Sequence, residues 1–117
     1  MALIKEQHLN DSIGAIKDYQ TALSLGPDPE NQITAYRGIS IALFSQKKFD
    51  EAKIYLNLAI GIDPSIGDLY LKRGIATMLS SVSNGVGGNP CDDLIKAKRL
   101  QGSIPSKIDE YIQRFCY

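Results

Sequence analysis

The chain has 117 residues, 44% of them hydrophobic, enough for one domain around a continuous core and too few for a second. Its 13 basic and 13 acidic side chains cancel, which excludes the strong positive field that nucleic-acid and anionic-membrane binders carry. Two cysteines, Cys91 and Cys116, are too few for a disulfide-rich scaffold and lack the C-x-x-C spacing of zinc or redox motifs.

In chain order, Met1 to His8 offers only four apolar residues before charge returns, so no signal-peptide core is expected and a short helix over 2–8 is. No stretch approaches the ~20 apolar residues needed to cross a bilayer, and a cytoplasmic location follows as the expectation. A second helix is predicted over 11–25, then helices over 29–46, 50–61, 65–82, 90–101 and 106–116. Asp28-Pro29, Asp63-Pro64 and Asn89-Pro90 each place a capping side chain before a proline suited to a first helical turn. Gly26, Gly61 and Gly102 stand where three helices should stop. The segment SSVSNGVGGN, Ser80 to Asn89, is too rich in serine and glycine to hold a helix and reads as a surface insertion. No segment alternates like a strand.

Self-similarity organises these helices. AIKDYQTALSLGPDP from Ala15 and AKIYLNLAIGIDP from Ala52 superpose with Ala15 on Ala52, Tyr19 on Leu56, Ala22 on Ala59 and Pro27 on Pro64, every pair 37 residues apart. A weaker copy, DLIKAKRLQGS, places Ala97 38 residues after Ala59. Small residues at fixed places let a neighbouring helix approach, with larger apolar residues one turn away. Two further apolar segments, from Ala35 and from Leu69, lie between the copies, so the rhythm is helix, turn, helix, repeated.

These residues resemble the tetratricopeptide repeat, a helix pair of roughly 34 residues. The second copy carries the resemblance through Tyr36, Ile39, Ser40, Leu43, Phe49, Ala52, Leu56, Ala59 and Pro64, and the third keeps Tyr70, Gly74 and Ala97. The first copy supplies only its second helix, with Glu6 where an aromatic residue is expected. The resemblance implies an all-α solenoid of antiparallel helix pairs spanning 1–117 as one domain, about two and a half repeats closed by the solvating helix IDEYIQRF. It also implies a protein-protein interaction scaffold that binds a peptide or protein segment in a concave groove. The groove positions are Thr34, Arg37, Ile41, Phe44 and Ser45 on one helix and Asp68, Leu71, Lys72, Ile75 and Leu79 on the next. A subset of the family clamps the C-terminal carboxylate of heat-shock chaperones. Gly38 replaces a clamp asparagine here and Asp68 a clamp lysine, leaving Lys72 alone, so that ligand is not expected.

Enzymatic chemistry finds little footing. His8 is the one histidine and lies in a segment expected to fray, so neither a histidine-based triad nor a multi-histidine metal site is expected within the chain, and Gly85, Gly87 and Gly88 belong to no nucleotide-binding motif. Asp92 and Asp93 read as stabilising a helix N-terminus, with no metal and no cofactor expected. The alternative to a scaffold is a small chaperone-like protein that shields an apolar segment of a client. The incomplete first pair leaves the Ile13, Ile16 and Leu23 helix under-covered, so self-association through this N-terminal edge is also expected. Antiparallel helices across Gly102–Pro105 would set Cys91 level with Cys116, close enough for a disulfide in an oxidising setting or for packed thiols in the cytosol.

Overall fold

The computed structural model describes residues 2–84 and 89–117, with side chains from Ser12 to Ser80 and from Asn89 onward. Among the described residues every regular element is a helix: α1 Ala2–Ser24, α2 Pro29–Ser45, α3 Phe49–Ile62, α4 Gly67–Asn84, α5 Cys91–Gln101 and α6 Ser106–Phe115. The extensive packing is all between sequence neighbours, and it thins at the α5–α6 step. The molecule measures 42 × 40 × 25 Å with a radius of gyration of 15.0 Å. A sphere-like domain of this length would give about 13 Å, so the helices form a slab.

Its interior is a row of three apolar clusters, each drawn from consecutive helices. Ile39, Leu43 and Ala52 gather Ile16, Tyr19 and Leu23 of α1 around them. Ile33, Leu56, Ala59 and Leu69 join α2, α3 and α4. Tyr70, Leu71, Leu94, Ala97 and Ile112 join α4, α5 and α6. The small residues sit at the tightest approaches: Ala52, Ala59 and Ala97 are fully buried. A Cβ built on Gly74 of α4 would lie 2.7 Å from Leu94 Cδ2 and 3.2 Å from Asp93 Cβ, so only glycine lets α5 come this close.

Ion pairs stitch the same neighbours. Arg73 of α4 donates from two nitrogens to the Asp93 carboxylate of α5, at 2.9 and 2.7 Å, and from a third to Asn57 Oδ1 of α3 at 3.0 Å. The hydrogen bonds it donates to Asp93 hold the Arg73 guanidinium above its ordinary range, against the opposing effect of partial burial. Arg73 and Lys96 lie 5.5 and 4.8 Å from the centroid of the Tyr70 ring.

Several expected boundaries are corrected. The break between helices over 2–8 and 11–25 does not occur, since α1 runs unbroken from Ala2 to Ser24. Asn10 and Asp11 favour helix starts, yet inside a helix each costs under about 0.7 kcal/mol relative to alanine, too little to interrupt it. Gly61 lies inside α3, which stops at Asp63 in an extended conformation. Asp63 does not cap α4; its carboxylate accepts from the Ser65 N–H at 3.0 Å and hydroxyl at 2.6 Å, and the helix begins later, at Gly67. Asp28 does cap α2, accepting from the Asn31 N–H at 2.9 Å. Gly102, at φ 78°, ends α5 in the left-handed conformation that glycine adopts without strain.

The insertion expected from Ser80 to Asn89 starts later than its composition suggests. α4 continues through Asn84, and Ser80, 1% exposed, donates to the Asp50 carboxylate at the start of α3. That tertiary bond overrides the weak helix propensity of serine. Residues 85–88 of the insertion lie outside the described residues.

Candidate interaction face between α2 and α4

The row Ile33, Arg37, Ile41 follows the i, i+4 spacing along α2, and Asp68, Lys72, Ile75 does nearly the same along α4. Packing on α3 brings the two helices side by side. Arg37 reaches across to Asp68, its guanidinium Nη2 lying 2.7 Å from Oδ2, and Lys72 lies 3.4 Å from the same oxygen. All three are partly buried, with side-chain exposures of 40%, 24% and 25%, so the pairing is firmer than a fully solvated surface bridge. One carboxylate faces two cations, and the cluster retains a net positive charge.

Hollows flank this cluster on both sides. Toward the C-terminal end of α2, Ile41, Phe44, Lys72 and Ile75 enclose about 230 Å³. Ile41 is 50% exposed there and forms one wall of the hollow. Phe44 is braced from behind by Phe49, with ring centroids 5.6 Å apart. Toward the N-terminal end of α2, a trough of about 550 Å³ is lined by Thr34 and Arg37 together with Pro29, Glu30, Ile33, Ile62, Asp63 and Ile66. Thr34 donates its hydroxyl back to the Glu30 carbonyl, 3.1 Å away.

Of the predicted groove residues, Thr34, Arg37, Ile41, Phe44, Asp68, Lys72 and Ile75 come together on this face. Leu71 is the exception. It is 8% exposed and belongs to the α4–α6 cluster, beneath Ile112 of the closing helix. The sequence pattern treats α6 as a solvating end and gives no hint that it covers α4. Ser45 bonds back to the Ile41 carbonyl at 3.4 Å and Leu79 is half-buried, so neither adds a distinct feature. Ile33, Ile62 and Ile66 in the trough are not among the predicted positions; extending the α2 row one turn before Arg37 finds Ile33, whereas Ile62 ends α3 and Ile66 lies in the turn after it, off the α2 and α4 rows.

Gly38 does not face the α2–α4 hollows. A Cβ there would collide with the far end of the Tyr19 ring of α1, so an asparagine at this position would require that ring to move. Beside it lies a shallow hollow of about 280 Å³ lined by Ser12, Ala15, Tyr19, Gly38, Ile41, Ala42 and Ser45. This is the N-terminal edge, where Ile13 is 43% exposed while Ile16 and Leu23 are tucked against α2 and α3.

At the other end of the molecule, Cys91 opens α5 and Cys116 follows α6, their Cα atoms 5.4 Å apart and their sulfurs joined in a disulfide. Among the described residues, no three His, Cys, Asp or Glu side chains are grouped to hold a metal, and no helix is long and apolar enough to cross a membrane. No protein-family profile, curated protein or solved structure matches the chain.

Proposed function

We propose that the chain is a tetratricopeptide-like helix-pair solenoid whose α2–α4 face binds an extended peptide or protein segment. The observation that carries this reading is the juxtaposition of the small apolar hollow at Ile41, Phe44 and Ile75 with the cation-rich Arg37–Asp68–Lys72 cluster. The overlapping three-helix clusters and the neighbour-to-neighbour packing support the solenoid part of it. At about 230 Å³ the hollow is below the ~300 to 1,000 Å³ of small-molecule pockets, and it suits a single apolar side chain. The surplus positive charge beside it favours a segment in which an acidic residue lies near that side chain.

The role is that of a scaffold and not an enzyme, placed in the cytoplasm, with proteins as its partners. Self-association through the N-terminal edge is part of the same proposal, because the Ile41–Ala42–Ser45 side of α2 is where the missing first helix of a pair would lie. A displayed peptide library tests the central claim. Selected segments should share an apolar residue close to an acidic one, and Lys72→Glu and Ile75→Asp should each weaken them at least tenfold, while Ile54→Ser, at an exposed site on α3, should not. A library that yields no binder, or binders indifferent to both changes, would sink the reading.

A further inference from the structure

We propose that the Cys91–Cys116 disulfide is a redox latch that holds α6 in place over the α4–α5 core, and that its reduction releases α6 while α1–α4 stay folded. The proposal starts from how little else holds α6. In its 10 residues Ile112 is the one buried side chain, helped by the half-buried Ile108 and Tyr111. A helix this short is marginal in water unless something fixes it. The remaining tie described between α5 and α6 is Lys98 to Asp109 at 2.6 Å, whose side chains are 37% and 41% exposed and are therefore readily screened by salt.

The bond occupies the position from which such a helix can be held. It joins the first residue of α5 to the residue just after α6, 25 positions apart, so it closes the open end of the hairpin opposite the Gly102–Pro105 turn. The closed loop contains α5 and α6 and nothing of α1–α4. Both cysteines are partly exposed to solvent, which gives a reductant access without unfolding. Under α6 lie Tyr70, Leu71 and Leu94, and Ile75 packs against the same cluster. Release would uncover Leu71 one residue from Lys72 and extend the apolar part of the α4 surface.

The chemistry is thiol–disulfide exchange with a dithiol reductant. A thiolate of the dithiol attacks one sulfur of the bond, forming a mixed disulfide and freeing the other cysteine, which takes up a proton. The second thiol of the reductant then displaces the remaining cysteine. Two electrons and two protons pass to Cys91 and Cys116, and the reductant leaves as a cyclic disulfide. In a cytoplasmic setting, where lasting disulfides are rare, a bond of this kind acts as a sensor. The latch stands independently of whether the α2–α4 face binds a peptide.

Hydrogen exchange read by mass spectrometry on the full chain tests it in three arms: oxidised protein, protein in excess dithiothreitol, and Cys91→Ser/Cys116→Ser without reductant. In both bond-free arms the α6 amides should exchange at least about tenfold and up to a few hundredfold faster, the upper bound being that for losing a loop closure of this length. Amides of α2 and α3 should stay within about twofold of the oxidised chain on the same scale. Unchanged protection of α6 would overturn the proposal by showing that Ile112 suffices to hold it. Loss of protection throughout would overturn it equally, since the bond would then be a general staple. A bond that dithiothreitol cannot reduce without denaturant would remove the access the latch requires.

Discussion

Ala59 fills with a single methyl group the space where Ile33, Leu56 and Leu69 of three helices meet. Leucine at this position has no room, and Ala59→Leu should cost roughly 1 to 3 kcal/mol, read as a lower midpoint in a thermal melt; an unchanged midpoint would take Ala59 out of the core. Lys47, in the turn after α2, is the opposite case, a side chain held at φ 60° with no glycine to relieve it. Left-handed backbone costs a non-glycine residue roughly 1 to 2 kcal/mol, so Lys47→Gly should raise stability by up to about 1 kcal/mol after its own entropy cost. Denaturant titration of the two chains measures it. Ala52, Ala59 and Gly74 were legible in the sequence because small residues recur at helical spacing. Lys47 was not, because nothing in a lysine announces a positive φ; the turn is dictated by the helices on either side of it.

Helix ends show where local chemistry decides and where packing does. Asp28 caps α2 as its Asp-Pro sequence suggests, and Asp28→Ala should cost about 1 kcal/mol, seen in the same titration. Asp63 carries an identical signal, yet its carboxylate is committed to Ser65 two residues on, and α4 starts later. The Ser65 hydroxyl first, and its N–H second, hold the Asp63 carboxyl below its usual value of 3.8. A depressed acid stabilises the fold above that usual value and loses the contribution as pH falls through the lower, folded one. Carboxyl-carbon NMR titration should therefore place Asp63 below 3.8, and Ser65→Ala should move it back up. The helices themselves were readable from periodicity, and their ends to within a few residues. The continuity of α1, the persistence of α4 past Ser80 and the cover that α6 gives Leu71 depend on tertiary contacts that no local pattern encodes.

Across the whole molecule the same repetition that made the sequence legible leaves its two ends unlike. The C-terminal end is closed by α6 and a disulfide, whereas the N-terminal edge keeps Ile41 exposed at a shallow hollow between α1 and α2, and Ile13 exposed at a separate hollow nearer α3. Sedimentation across micromolar concentrations should accordingly show a mass that rises with concentration and reverts toward the monomer in Ile41→Asp; a constant monomer mass in the parent chain would exclude the edge as an interface. The row of clusters has a mechanical consequence as well. The first two share α2 and α3, and the second and third meet where Leu69 turns to one side of α4 and Tyr70 and Leu71 to the other, with Ile60 touching both and Arg73 tying α3 to α5. Load applied between the ends of the chain meets its most thinly packed step between α5 and α6. Drawn apart in an optical trap with the disulfide reduced, the molecule should yield in two steps, α6 peeling away first and the α1–α5 block rupturing at higher force.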